Sequence, residues 1–194
     1  MANLIQTSNG VRLTNNESVD ITVIQPATGS IEWTRDNIGN QFFVTLKLYD
    51  VPQAVVNGTE YQGTQLLTFP EGRILVQGVT ATLQQKTTSV LASTLNASAT
   101  GAISLGTATA SSTTLSSTMV DLLPSTAFTT SATINVAGTA VSAALASSAQ
   151  FDGTASAKKM YLNTAYATTT DVDADATQTI SGTIVLSFVF LGDY

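Results

Sequence analysis

The chain has 194 residues, a net charge of −6 and a pI near 4.3, and only 10% of its residues are charged, where soluble domains usually carry about 25%. Seven basic side chains, scattered apart from Lys158-Lys159, offer no patch to neutralise phosphates, so the composition argues against nucleic-acid binding. Cysteine and histidine are absent, which removes thiol nucleophiles, disulfides, imidazole bases and the commonest zinc ligands.

In chain order, the first stretch, MANLIQTSNGVRLTNN, has no basic region followed by an apolar one, so no secretory signal is expected and synthesis is placed in the cytoplasm. Polar and weakly patterned, residues 1–19 read as an arm ahead of a single domain over 20–194. Asp20 to Pro26 suggests a short strand. Trp33, the sole tryptophan, lies in SIEWTRDN and is expected to pack in a core or an interface. QFFVTLKLYD alternates cleanly: Phe42, Val44, Leu46 and Leu48 share one face, as in a half-buried strand. Pro52 is expected to end it, because proline cannot donate to a ladder. After Pro70 a second strand sets Val79, Ala81 and Leu83 on one face, with Gly78 as a bulge or a bend.

Between Lys86 and Asp152 the only charged side chain is Asp121. The segment is rich in Ala, Ser and Thr, yet small apolar clusters recur: Val90-Leu91, Ile103 with Leu105, Leu122-Leu123, Phe128, Ile134 with Val136, and Val141. Their rhythm is that of short strands separated by turns rather than of a linker. Ser142 to Gln150 has alanines enough for two helical turns at most. Phe151-Asp152-Gly153-Thr154 reads as a β-turn in which Gly supplies positive φ. Met160 and Leu162 then share a strand face.

Asp171, Asp173 and Asp175 repeat the start of a calcium loop. The sixth position holds Ala176 where glycine is required, and the twelfth holds Gly182 where a bidentate glutamate belongs. They are read as a solvated turn, and no metal, cofactor or catalytic residue is assigned. From Ile180 the even positions, Ile180, Ile184, Leu186, Phe188 and Phe190, are apolar except for Gly182. The odd ones turn apolar at Val185, Val189 and Leu191. Such a run is too short for a membrane helix and has a strand's period. It reads as a central core strand, its second face covered near the end. Eight to ten short strands are expected in all, as one β-sandwich or jelly-roll-like domain.

Three stretches, FPEGRILVQGVTATL, FDGTASAKKMYLN and DVDADATQTISGTIVLSFVFLGDY, resemble virion structural proteins of tailed, largely marine bacteriophages. The likeness runs from about Phe69 to Tyr194. Its motifs are structural, so it transfers no active site. It implies a head decoration or cement protein on the capsid exterior, binding the major capsid protein as a homo-oligomer, most naturally a trimer at lattice three-fold points. Membrane and nucleic acid are not expected partners. The alternative is a tail- or vertex-associated module that recognises carbohydrate on a host surface.

Overall fold

The computed structural model describes residues 3–7, 10–14, 20–88, 100–131, 135–166 and 175–192. They form thirteen strands: β1 (Asn3–Thr7), β2 (Gly10–Thr14), β3 (Thr22–Val23), β4 (Ser30–Ile38), β5 (Gln41–Val55), β6 (Tyr61–Thr68), β7 (Gly72–Thr87), β8 (Thr100–Gly106), β9 (Leu123–Thr129), β10 (Val141–Ala144), β11 (Ala149–Gly153), β12 (Lys159–Tyr166) and β13 (Ala176–Gly192). The count exceeds expectation because the Ala/Ser/Thr segment contributes four strands, β8 to β11. Within the segment read as an arm, β1 and β2 pair with each other as an antiparallel hairpin.

The remaining strands make two antiparallel sheets packed face to face, an all-β sandwich. One sheet, here the front, has the order β10-β7-β13-β5-β4, with β11 on the other half of β7. The back sheet has the order β3-β6-β12-β8-β9. As the alternation predicts, β13 is central, paired with β5 on one side and β7 on the other. Its even positions Ile180, Ile184, Leu186 and Phe188 are fully buried, each burial stabilising by about 1.5–3 kcal/mol.

Two bulges keep the long strands in phase with the core. Tyr49 and Asp50 together face Ser181, so β5 buries even positions before the bulge (Phe42, Val44, Leu46, Leu48) and odd ones after it (Val51, Gln53, Val55). On β7 an extra residue beside Gly78 moves the buried set from Ile74 and Val76 to Val79, Ala81 and Leu83. That places a bulge where the sequence suggested one. Gly182, the gap in the apolar face of β13, has φ +148, and a Cβ there would lie 2.1 Å from the Thr82 carbonyl oxygen. Only glycine fits.

Pro52 does not end β5. The strand continues to Val55 because β4 reaches only as far as Tyr49; beyond that point β5 has one neighbour, β13, and a missing N–H on its open side leaves no ladder donor unpaired. The helix allowed over Ser142 to Gln150 is absent as well. Val141–Ala144 pairs with Thr80–Leu83 and Ala149–Gly153 with Gly72–Val76, so two ladders override alanine's helical preference. Gly153 closes β11 without positive φ. Its role is close approach, since a Cβ would lie 2.7 Å from the Gly72 carbonyl oxygen. Val90-Leu91 and Ile134 lie outside the described residues.

Candidate functional site

The two sheets carry different outer faces. On the back sheet, β12 alternates Leu162, Thr164 and Tyr166 inward with Asn163 and Ala165 outward, and all five are buried. The outward pair is roofed by the loop from Thr107 to Leu122, whose Ala110, Leu115 and Met119 pack on Ala165 and Ala102. Asn163 fastens that roof: its Oδ1 accepts from the Ala110 N–H (2.8 Å), and its Nδ2 donates to the Ala108 and Met119 carbonyls (2.9 and 3.0 Å). The Ser104 hydroxyl donates to the same Met119 carbonyl (2.8 Å). Asp121 closes the loop by accepting from the Thr107 N–H and hydroxyl (2.8 and 2.6 Å). Burial raises the Asp121 carboxyl above the usual range, and the Thr107 hydroxyl pulls in the opposite direction.

The front sheet has no such roof among the described residues. Across β5, β13 and β7, three rows lie side by side: Lys47-Thr183-Thr82, Thr45-Val185-Thr80 and Phe43-Ser187-Gly78. These nine positions hold one charge. Val185 is 44% exposed, Leu191 39% and Phe43 38%, so the expected cover over the end of β13 is not supplied by the described chain. At one margin, Asp50 anchors the bulge. Its carboxylate accepts from Lys86 Nζ (2.8 Å), Thr179 Oγ1 and Ser181 Oγ (both 3.2 Å). The Lys86 hydrogen bond is the main reason its carboxyl is held below the ordinary value.

Beside the edge strand β4 is an open groove of ≈ 460 Å³ lined by Gln25, Glu32, Trp33, Thr45 and Lys47, among others. Trp33 is therefore not a core residue: it is 41% exposed on the edge strand of its sheet. The Gln25 side chain imitates a neighbouring strand at Ile31, donating to its carbonyl (2.7 Å) and accepting from its N–H (3.0 Å). Tyr49 donates to Glu32 (3.2 Å), the largest cause of a raised Tyr49 hydroxyl. The β4–β5 register sets Tyr49 opposite Ser30, one diagonal from Glu32, and Trp33 opposite Leu46.

Of the three alternating acids, Asp171 and Asp173 lie outside the described residues. Asp175 is exposed and accepts from the Asn57 N–H (2.8 Å), tying the start of β13 to the β5–β6 turn. Among the described residues no three His, Cys, Asp or Glu side chains are grouped to hold a metal. Asp152 accepts from the Thr154 N–H and hydroxyl (3.0 and 2.6 Å), with the hydroxyl first among the causes that lower its carboxyl. Ser156 and Lys159 fall at the S-x-x-K spacing of serine acyltransferases, but Ser156 is exposed in a turn and Lys159 opens a strand. The helical turn that brings those side chains together is missing.

The interior has its own contrast. At one end Phe42 and Phe188 stack (4.9 Å between centroids), and Phe69 meets Phe188 and Phe151 edge-on (5.4 and 5.1 Å). At the other end, the same strands bury amides. Gln53 on β5 is the cross-strand partner of Gln178 on β13, which also faces Thr87 on β7, next to Gln85. From the back sheet come Tyr166 and Thr164, with Gln62 paired to Thr164 and Glu60 just before β6. Gln85 Nε2 donates to Tyr166 Oη (3.1 Å), which donates to Gln178 Oε1. Nine buried side-chain atoms here have no protein partner: Nε2 and Oε1 of Gln53 and of Gln62, Oε1 of Glu60 and Gln85, Nε2 of Gln178, and Oγ1 of Thr87 and Thr164. Each such group costs about 1–3 kcal/mol if left unmet. This layer was not foreseen, although glutamine at inward positions of Gln53, Gln85 and Gln178 was its visible signal.

No known protein family matches the chain. No curated protein matches it either. Among solved structures, the chain aligns over its whole length with part of the "Structure of infectious bursal disease virus Gt strain", at 9% identity and a TM-score of 0.27, spanning 37% of that protein's length. So distant a likeness carries no argument about function.

Proposed function

We propose that this chain is a virion structural protein of a tailed bacteriophage, a decoration or cement protein that binds the major capsid protein and strengthens the head from outside. The observation that carries the reading is the bare front face. Phe43, Val185 and Leu191 stand in a field of Ser and Thr with almost no charge, a surface suited to a partner that excludes water over a broad, flat contact. The sequence resemblance over Phe69 to Tyr194 supports the same assignment, and a self-associated trimer multiplies modest contacts across a lattice. Quantitative mass spectrometry of gradient-purified virions tests it. About one copy per capsid subunit is expected, and absence from the particle overturns it.

A second reading rests on the groove beside β4. Trp33, Glu32, Gln25 and Lys47 combine an aromatic surface with polar groups, the chemistry of a carbohydrate site on a tail or vertex. A few to tens of copies per particle, with binding to host glycans lost in Trp33→Ala, would favour it over the shell assignment.

A further inference from the structure

The polar end of the interior needs an occupant, and its chemistry defines one. Gln53, Gln85, Gln178, Glu60, Thr87 and Thr164 are each more than nine-tenths buried, and each presents at least one unpartnered atom. An apolar occupant satisfies none of them. A bare cation meets the carbonyl and carboxylate oxygens but leaves the Nε2 groups of Gln53, Gln62 and Gln178 unmet, and an anion meets those nitrogens but not Glu60 Oε1. Rotating the Gln53 or Gln62 amide exchanges oxygen for nitrogen without changing the sum. As placed, Tyr166 donates to the Gln178 oxygen and leaves its nitrogen as the open donor, and turning Gln85 and Gln178 together reverses the chain without changing that sum. The chain Gln85–Tyr166–Gln178 is thus polarised, with an acceptor free at the Gln85 end and a donor free at the Gln178 end.

We propose that this end of the sandwich holds a cluster of ordered water molecules, bound between the sheets as a structural ligand. Water is small and both donates and accepts, and buried water typically makes about three bonds to groups of this kind. The cluster links β5, β7 and β13 of the front sheet to β6 and β12 of the back sheet. It does there what the Phe42, Phe69 and Phe188 rings do at the far end. The site is independent of any virion role.

A high-resolution crystal structure of the full chain, paired with water-to-protein NOE measurements on the Gln side-chain amides in solution, tests this. Expected are discrete solvent peaks, each within hydrogen-bond range of two or more of the unpartnered atoms. Slow-exchange water NOEs should reach the Gln53 and Gln178 amides. In Gln178→Leu the NOEs at Gln53 should weaken severalfold while the Phe42–Phe188 contacts keep theirs. Should that variant fail to fold, Thr87→Val, which removes one hydroxyl at nearly constant shape, should delete the solvent peak nearest Thr87. The proposal is overturned if the amides bond directly to one another with no intervening density. It is equally overturned if the density shows oxygen ligands at the short distances of a coordinated cation and disappears with chelator.

Discussion

The back sheet and the front sheet are built from the same alternation, yet one outer face is roofed by its own chain and the other is left open by the described residues. On β12 the outward residues are Asn163 and Ala165, the first a clamp for three backbone groups and the second small enough to lie under a loop. On β13 the outward residues are Val185, Ser187 and Leu191, which grip nothing in the described chain. The comparison teaches that a buried polar clamp marks a face closed within the chain, while uncharged, unclamped residues mark a face available to another molecule.

The comparison can be broken in graded ways. Deleting Thr183 to Tyr194 removes the larger part of the central strand β13 and of its ladders with β5 and β7; soluble, cooperatively folded protein should be lost, as circular dichroism and thermal melting would show. Replacing Asn163 with Ala should cost about 2–4 kcal/mol by denaturant unfolding, since three bonds go and the Ala110 N–H and the Ala108 carbonyl lose their partner, while the Met119 carbonyl keeps the Ser104 hydroxyl. A loss under 0.5 kcal/mol would mean that the roof holds without its clamp. Phe43→Lys with Val185→Lys should change stability by less than about 1 kcal/mol, yet abolish binding to capsid shells in a sedimentation assay. If binding survives, the front face is not the contact.

Smaller effects concern the margins. Because Asp50 has a lowered carboxyl pKa in the fold, its contribution is present above the unfolded value and disappears as pH falls through the folded one. Asp50→Asn should flatten the acid limb of stability by less than about 1 kcal/mol, the site being largely exposed. Chelator should leave the melting temperature unchanged, because the Asp171, Asp173 and Asp175 run has Ala176 and Gly182 where a calcium loop needs its glycine and its closing glutamate.

Much of the front sheet was legible in the sequence, because Phe42 to Leu48 and Ile180 to Phe190 are long, strictly alternating runs and a period of two admits few other readings. What escaped was set by long-range partners. Pro52 was read as a stop because its harmlessness depends on β4 ending at Tyr49. Ser142 to Gln150 had alanines enough for two helical turns at most, and its strands show only in their pairing with β7. Gln85 and Gln178 continue the inward parity of their strands, yet only the register shows that they meet Gln53 inside. Trp33 was expected in a core or an interface, and its exposure on the edge strand β4 removes the first of the two.

The position of β13 bears on how the protein is made. Strands β5 and β7 do not pair with each other; both ladders wait for a strand that begins 89 positions after β7 ends at Thr87 (176 − 87). At roughly 5–20 residues per second of translation, that delay is on the order of 5–20 s. During it the nascent chain holds two long, aggregation-prone apolar strands without their shared partner. Ribosomal pausing before Ala176 should therefore do more harm to yield than pausing anywhere else in the chain, and holdase chaperones should be most useful in that interval.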